Sequence, residues 1–479
     1  MKQKSLFKNS LFNTIYTIAN TLFPFVTSIY VSRILMPIGV GRVAYAQNVA
    51  SYFLLIAALG LPSYGLREFA KIREDIDQRN KLFTELFLIN IISTTLSVVA
   101  FITFIYTSRG FNNEWELYFA CGTTIFLNYL NIDWLYQGME EYGYITTRSL
   151  LIKTISVGAI FLFVRNEQDY VIYALINSLA TGGNYLFNVL HAKKFVRFSF
   201  TQINLMKHLK SVLVIACIVF LSSIYSKIDT TMLGSMASKE AVGYYAYAQK
   251  TLGIVITLSN AVTMTFLPRL SFYYENDHKA FYGLINKAFH VICFVAIPLS
   301  TGLFLVAPQA VDFLYGTAFT PTSQTIRWMC PLILIKSFGD LFCYQMAYST
   351  KNEKIIVPAS ASATIINILI NALLIPRMLQ NGAVVASVIS ELITTCVQLI
   401  YLKKKIGFSL KFKELWISII ASIVMGIIVL LIMQLKLENN IELILSVSCG
   451  AFIYLLINMI GKNEILLQIL GKVKRVLIN

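Results

Sequence analysis

The chain has 479 residues, of which 57% are hydrophobic and only 13% are charged. Soluble domains carry about 25% charged residues, so this composition excludes an ordinary soluble protein and predicts an all-α polytopic membrane protein. The net charge of +16 would indicate a nucleic-acid partner in a soluble protein. In a membrane protein, Lys and Arg concentrate in cytoplasmic loops, so we expect no nucleic acid here.

Fourteen apolar stretches are each long enough to cross a bilayer, which takes about 20 helical residues. The predicted spans are residues 10–33, 42–62, 82–106, 115–137, 145–164, 170–190, 211–233, 243–267, 284–307, 322–348, 355–376, 382–402, 414–434 and 441–460. With the N-terminus inside, the inner segments and their flanks hold 27 Lys and Arg residues and the outer ones hold 7. This asymmetry predicts that both termini are cytoplasmic.

The loops, the cysteines and the N-terminal segment argue against a membrane enzyme, a metal site and a signal peptide. None of the loops is long enough to form a soluble domain, which favours a transporter over a membrane enzyme. The seven cysteines lie in apolar spans without a CxxC pair or a Cys/His cluster, so we expect no metal site. The apolar run after the basic N-terminus is too long for a signal peptide and is predicted to be span one.

Span seven carries polar residues at membrane depth. One sector of this helix holds Ser222, Ser223, Ser226 and Thr230. Lys227 and Asp229 lie on the two rims of the sector, about 160° apart on a regular helix. A charge that faces lipid costs at least about 2.5–3.5 kcal/mol, so we expect the sector to face a wet cavity. The alternative is that both charges reach the membrane interface.

Four further cations lie in or at the end of a span: Arg33 in span one, Lys153 in span five, Lys250 in span eight and Lys336 in span ten. Lys153 is too deep to reach the interface easily, so we expect it to face the cavity or an acid such as Asp133. Lys250 shares a face with Gly253, Thr257 and Asn260, which suits a cavity lining. For Arg33 the alternative is an anchor at the outer interface.

Acidic residues lie in spans four, seven, ten and twelve, namely Asp133, Asp229, Asp340 and Glu391. Asp340 follows Lys336 by four residues, so we expect the two to pair along one helix face. Glu391 shares a stripe with Ser387, Thr394, Thr395 and Gln398. It is therefore either a proton carrier, whose pKa burial would raise, or part of a hydrogen-bonded seam between helices. Asp133 poses the same choice.

The chain contains an internal repeat. Residues 40–47 (VGRVAYAQ) and 242–249 (VGYYAYAQ) match in six of eight positions, and they open spans two and eight. The two copies lie six spans apart, an even number, so they cross the membrane in the same direction. This predicts two six-helix bundles in a parallel repeat, the plan of an alternating-access transporter. We predict lobes at residues 1–200 and 201–405, followed by residues 406–479 with two helices and a basic tail.

Three segments carry a resemblance to a known family: residues 60–68 (GLPSYGLRE), residues 133–140 (DWLYQGME) with the following YIT and Arg148, and residues 242–245 (VGYY). Together they resemble Wzx-type polysaccharide repeat-unit flippases of the multidrug/oligosaccharidyl-lipid/polysaccharide exporter superfamily. The resemblance implies two pseudo-symmetric lobes in a V around a central cavity, lined by helices one, two, seven and eight.

The resemblance also implies a function. Such a protein of the bacterial plasma membrane moves an undecaprenyl-pyrophosphate-linked oligosaccharide to the outer leaflet for O-antigen or capsule assembly. Its expected partners are this substrate, membrane lipids, a polysaccharide polymerase and a chain-length regulator. No catalytic residue or cofactor is expected, and coupling to H⁺ or Na⁺ is a hypothesis that rests on the four acids.

The substrate chemistry assigns roles to the charged residues. A pyrophosphate head needs a wet, cationic path, because Arg and Lys donate charge-assisted hydrogen bonds to phosphate oxygens. We predict substrate-binding cations at Arg33, Lys153, Lys227, Lys250 and Lys336. We predict ion-coupling or structural acids at Asp133, Asp229, Asp340 and Glu391.

Three other functions compete with this one. A multidrug or organic-cation antiporter would need cavity acids, commonly in span one, and residues 11–30 contain none. A flippase for a peptidoglycan lipid precursor would use the same physics and stays an alternative. A membrane glycosyltransferase or polymerase would need an acidic catalytic pair on a sizeable loop, and the outer loops carry no such pair.

Overall fold

The computed structural model describes residues 6–108, 114–263, 266–435, 437–468 and 470–471, and the regular elements in these ranges are helical. The α-helices are α1 (Leu6–Ala58), α2 (Leu61–Lys71), α3 (Ile76–Thr107), α4 (Trp115–Leu127), α5 (Asp133–Gly138), α6 (Tyr142–Phe163), α7 (Tyr170–Gly182), α8 (Asn184–Ala192), α9 (Met206–Met236), α10 (Lys239–Thr263), α11 (Leu267–Asn276), α12 (His278–Tyr315), α13 (Thr320–Met329), α14 (Pro331–Asp340), α15 (Ile356–Met378), α16 (Gln380–Ile406), α17 (Lys413–Gln434) and α18 (Asn439–Ile460). A π-helical segment, Leu341–Ala347, continues α14.

Within the described ranges, nine helical segments are long and apolar enough to cross a membrane. The predicted all-α polytopic class is therefore confirmed, and the count of fourteen crossings stays a prediction. Several predicted spans are built from shorter pieces. Span four, for example, consists of α4, the 3₁₀ turn Asn128–Leu130 and α5.

The first two predicted spans lie in one long element, α1, which has a break in its middle. Met36 adopts φ 56° and ψ 172°, outside the helical region, and Pro37 follows it. Proline has no backbone N–H and disfavours helical geometry in the residue before it. The break falls inside the predicted loop between residues 33 and 42, so the two spans are separate helices joined at Met36.

The chain divides into two compact units, one that ends at Gly234 and one that begins at Ser235. The first unit includes α9 up to Gly234, and the predicted lobe boundary at residue 200 stays a prediction. In the first unit α1 packs against α3, α4, α6 and α7; in the second, α12 packs against α13, α14, α17 and α18. The six-helix symmetry of the predicted lobes stays a prediction.

The last two helices, α17 and α18, pack onto α12 within the second unit. The Tyr454 hydroxyl donates to the Phe294 carbonyl at 2.7 Å, and Gln309 donates to Glu442 at 2.6 Å. Both bonds fasten α18 to α12, and α17 packs on α12 as well.

The structure extends the internal repeat beyond the segments found in the sequence. The amphipathic helices α2 and α11 follow the second and eighth predicted spans, and each begins with a Leu–Pro pair. Proline suits the first helical turn, where a backbone N–H has no helical partner anyway. Equivalent short helices at equivalent places in the chain support a parallel duplication.

Candidate functional site

A buried polar network joins α5, α6 and α8 in the first unit. The Arg148 guanidinium donates to Asp133 Oδ1 at 3.0 Å, to Asn184 Oδ1 at 3.2 Å and to Asn188 Oδ1. Asn188 Nδ2 also donates to Asp133 Oδ1, at 2.7 Å. The side chain of Arg148 is 5% exposed and that of Asp133 is 22% exposed. A cation buried to this degree is tolerated because a carboxylate and two amide oxygens satisfy it.

Aromatic rings cover this network. The Arg148 guanidinium lies 5.3 Å from the centre of the Tyr144 ring, which in turn stacks on His191 at 4.1 Å. The buried Tyr136 hydroxyl donates to the Asn188 carbonyl at 2.5 Å. The network therefore joins three helices through buried polar contacts, which favours a structural role for Asp133 over ion coupling.

Lys153 has a different partner from the acid considered in the sequence. Its ammonium donates to Asn20 Oδ1 on α1, while Asp133 is occupied by Arg148. Lys153 is half-buried and Asn20 is exposed. The amide of Asn20 orients the ammonium without neutralising it, so the positive charge remains available to an anion.

The first part of α1, residues 13–26, is exposed on two opposite faces with opposite character. One face presents Ile15, Ile18, Leu22 and Val26, which are 38–51% exposed. The other presents Asn13, Thr17, Asn20 and Pro24, which are also exposed. At 100° per residue the two sets lie about 180° apart. The apolar face is suited to contact with lipid. The polar face needs contact with water, because amides and hydroxyls at membrane depth must have hydrogen-bond partners.

The polar sector of span seven is partly exposed on α9. Ser222 and Ser226 are exposed, Lys227 is half-buried and Asp229 is buried at 6% exposure. The ammonium of Lys227 has no hydrogen-bond or ion-pair partner among the described residues. A half-buried cation without a counter-charge, beside exposed hydroxyls, is a suitable ligand for a phosphate oxygen.

The remaining cations have different surroundings. Arg33 is exposed at the C-terminal end of the first predicted span. In the second unit, Lys250 is half-buried, its ammonium lies 5.1 Å from the centre of the Tyr247 ring, and its helix neighbours Gly253 and Thr257 are exposed. The predicted polar face of α10 is thus accessible, and its lysine is held by an aromatic ring.

The predicted pairing of Lys336 with Asp340 is wrong. Lys336 Nζ lies 3.2 Å from Glu391 Oε1 on α16, and Asp340 Oδ2 accepts a hydrogen bond of 3.1 Å from Gln345. Lys336 pairs with Glu391 on the neighbouring helix because α14 packs against α16. Thr395 also bonds to the Ile335 carbonyl at 3.4 Å. Glu391 therefore belongs to a seam between helices, and the charge of Lys336 is neutralised.

The sequence pattern assigned no role to four residues of these polar contacts: Asn20, Asn184, Asn188 and Arg148, the last of which was noted only for the family resemblance. All four interrupt apolar spans, and a polar residue in such a place normally has a partner inside the protein. That signal identifies the residues but not their partners. In the part of the chain that the structure describes, no group of three His, Cys, Asp or Glu residues could hold a metal ion.

Chemically, the exposed polar surfaces can bind an anion and its polar attachments. Lys153 and Lys227 supply positive charge, and the amides and hydroxyls of α1 and α9 supply neutral hydrogen bonds. Sugars offer many hydroxyls to such groups, and phosphates offer acceptor oxygens.

Two family models match the chain over large parts of its length. The model described as polysaccharide biosynthesis protein matches residues 6–274, which is more than half of the chain. The model described as lipid II flippase MurJ matches residues 147–448.

Two relatives span most of the chain at low identity. A protein of Escherichia coli K12, provisionally named O-antigen transporter, is 20% identical over 402 residues, which is 83% of this chain and 97% of that protein. A protein of Haloferax volcanii, provisionally named low-salt glycan biosynthesis flippase, is 20% identical over 434 residues, which is 87% of this chain and 89% of that protein.

Two solved structures share the fold. The lipid II flippase MurJ in an inward closed conformation gives a TM-score of 0.71 at 16% identity, over 92% of this chain and 99% of that chain. An inward-facing multidrug resistance MATE family transporter of the MOP superfamily gives a TM-score of 0.64 at 14% identity. The match covers 81% of this chain and 94% of that chain. At such identities the likeness concerns the fold alone.

Proposed function

Because the chain belongs to the polysaccharide biosynthesis protein family, we propose that it is a flippase that moves a lipid-linked oligosaccharide across the membrane. The resemblance to polysaccharide flippases and the all-α membrane fold are confirmed. The chain is a multi-pass membrane transporter rather than an enzyme. Our finer proposal is an undecaprenyl-pyrophosphate-linked repeat unit of O-antigen or capsule, carried across the bacterial inner membrane with both termini cytoplasmic.

One observation carries the choice of an anionic, sugar-bearing substrate. The face of α1 that is exposed opposite its lipid-facing side presents Asn13, Thr17 and Asn20, with Lys153 bonded to Asn20. Residues 11–30 contain no acid. A cation antiporter needs negative charge on such a surface, and a polar head with a pyrophosphate needs hydrogen-bond donors and positive charge. The hydrocarbon tail can stay in lipid.

The substrate-binding cations divide by their surroundings. Lys227 and Lys153 lack a carboxylate partner in the described residues, so we place them first as phosphate ligands. Lys250 and Arg33 stay candidates on exposed faces. Lys336 is neutralised by Glu391 and contributes least. Polymerase and chain-length regulator contacts stay part of the proposal.

Deleting the gene in its native host tests this function. We expect loss of the surface polymer and accumulation of lipid-linked oligosaccharide on the cytoplasmic leaflet, with growth maintained. An unchanged polymer would contradict the proposal. The match to the MurJ family model favours a second candidate, a flippase for a peptidoglycan lipid precursor. That candidate predicts loss of viability and accumulation of the precursor instead.

We expect transport to depend on an ion gradient. We propose Asp229, which is 6% exposed on α9, as the coupling candidate. Collapsing H⁺ and Na⁺ gradients in vesicles should lower flux at least about tenfold, the order of effect of a coupling free energy of 1–3 kcal/mol. Asp229→Asn should make the residual flux insensitive to the gradient. Unchanged flux after every gradient is collapsed would exclude coupling.

A further inference from the structure

A basic and aromatic connection leads from α8 into α9. Residues 193–210 hold five Lys and Arg residues and no Asp or Glu. All five are exposed, and none forms an ion pair or a side-chain hydrogen bond with the described residues. Clusters of about four to eight cations beside a membrane span attract anionic lipids. We call the first part of this connection, residues 193–200, the strap.

The strap is ordered because side chains of α3 accept its backbone N–H groups. The N–H of Arg197 donates to Asn80 Oδ1 at 2.7 Å, and that of Ser199 donates to Thr84 Oγ1 at 2.8 Å. The two acceptors lie four residues apart, a rise of about 6 Å along a helix. Predicted span three begins at residue 82, so the strap crosses the level at which α3 is expected to enter the membrane.

Two phenylalanine rings of the strap are exposed at this level. The ring centre of Phe198 lies 5.2 Å from that of Phe83 and 5.3 Å from that of Phe87, and Phe200 stacks on Phe198 at 6.2 Å. Phe198 nevertheless remains 54% exposed and Phe200 68% exposed. Such rings gain free energy by leaving water for the boundary between headgroups and acyl chains. The strap therefore presents apolar rings next to positive charge.

Arg79 adds a buried cation beside the strap. It is 8% exposed, its Nη1 lies 4.0 Å from the sulfur of Met139, and its buried Nε has no partner in the described part of the chain. Arg79 and Phe83 lie four residues apart on one face of α3, and Phe83 contacts Phe198 of the strap. A buried guanidinium without a carboxylate is costly unless an anion compensates its charge.

Two acids of this region are already occupied. Glu85 is 4% exposed, its Oε1 accepts the Asn204 backbone N–H at 2.8 Å, and its Oε2 lies 2.8 Å from His208 Nε2. Asp75 accepts from the backbone and the side chain of Gln78, at 3.0 and 2.7 Å. Neither carboxylate pairs with Arg79 or with a cation of the strap.

We propose that the strap and Arg79 form a binding surface for an anionic phospholipid of the surrounding membrane. The headgroup phosphate accepts hydrogen bonds from Arg79 and Arg197, and the rings of Phe198 and Phe200 lie among the upper acyl methylenes. A soluble anion would make no use of the rings, and a zwitterionic lipid carries no net charge for the cations to attract. The surface is separate from the substrate-binding cations, and its test needs no flux, so the inference does not depend on the proposed function.

Lipid binding to the purified full chain tests this surface. Delipidated protein in detergent is titrated with dioleoylphosphatidylglycerol or dioleoylphosphatidylcholine, and native mass spectrometry counts the bound lipids. We expect phosphatidylglycerol to bind at least about tenfold more tightly, and Arg79→Gln with Arg197→Gln to weaken its binding about 10- to 100-fold through loss of charged hydrogen bonds. Equal binding of the two lipids, or unchanged phosphatidylglycerol binding by the variant, would overturn the proposal.

A matched control separates this surface from a general attraction between charges. Lys403 and Lys404 are exposed at the end of α16, so Lys403→Gln with Lys404→Gln removes the same number of cations from another connection. This variant should leave phosphatidylglycerol binding nearly unchanged. Equal weakening by the two double variants would show that only the net charge matters and would contradict a specific surface.

Thermal unfolding distinguishes a lipid from a free anion. Phosphatidylglycerol should raise the thermal midpoint of the unaltered protein but not that of Arg79→Gln, which in lipid-free detergent should be at least as stable because it lacks an unpaired buried cation. An equal rise with inorganic phosphate would overturn the assignment to lipid. If Arg79→Gln does not insert, Phe198→Ser with Phe200→Ser keeps the test valid: it retains every charge and should still weaken phosphatidylglycerol binding, and unchanged binding would contradict the role of the rings.

Discussion

Substituting Lys227 is expected to have the largest effect on substrate affinity. Its ammonium is half-buried on α9 and has no partner among the described residues. A hydrogen bond to a charged group contributes about 1.5–3 kcal/mol, so Lys227→Gln should raise the half-saturating substrate concentration about 10- to 100-fold. Lys227→Glu should abolish flux through repulsion of the phosphates. The measurement is flux against substrate concentration at equal levels of inserted protein.

The chain offers a matched control in another helix. Lys336 is also a partly exposed cation in a predicted span, but Glu391 lies 3.2 Å from it. The double variant Lys336→Gln with Glu391→Gln removes both charges and should leave the half-saturating concentration unchanged. An unchanged value for Lys227→Gln, or an equal rise for the control, would contradict the role of Lys227.

Removing Arg148 is expected to have the largest effect on stability. In Arg148→Met the carboxylate of Asp133, 22% exposed, loses its cation and two asparagines lose a donor. Breaking a buried pair in this way costs about 3–5 kcal/mol. We expect a marked fall in the thermal midpoint in detergent, together with reduced protein in the membrane.

A double variant distinguishes an unpaired charge from lost packing. Asp133→Asn with Arg148→Met removes both charges and should recover part of the lost stability, because the pair acts as a unit. As a surface control, Lys351→Ala should leave the midpoint unchanged. Lys351 and Glu275 form a highly exposed ion pair. Their hydrogen bond lowers the pKa of Glu275. Exposed pairs of this kind nevertheless contribute little to the stability of the fold. A stable Arg148→Met protein would show that the network is dispensable.

The helical class and the position of single spans could be predicted from the sequence, because apolar length is a local property. Span seven was expected at residues 211–233 and α9 covers Met206–Met236. A loop between residues 33 and 42 was also predicted, and the break at Met36 falls inside it. The 3₁₀ turn that divides span four was not predicted, because a short bend leaves the hydrophobic pattern of the span intact.

Partners could not be predicted, because helix periodicity reports neighbours on one helix and not across helices. Lys336 and Asp340 satisfy the four-residue spacing, yet Lys336 pairs with Glu391. Lys153 was expected to face a cavity or an acid, and it donates to Asn20. Glu85 and His208 give a further example, because their buried hydrogen bond joins residues more than 120 positions apart.

The most direct test of the proposed function is flipping by the purified protein. Proteoliposomes would carry a lipid-linked oligosaccharide with a pyrophosphate in one leaflet, and an impermeant sugar-modifying enzyme would report its arrival in the other. We predict gradient-dependent flipping that is lost in Lys227→Glu and kept in the Lys336→Gln and Glu391→Gln double variant. No flipping above protein-free vesicles, or equal flipping by Lys227→Glu and the unaltered protein, would contradict the account.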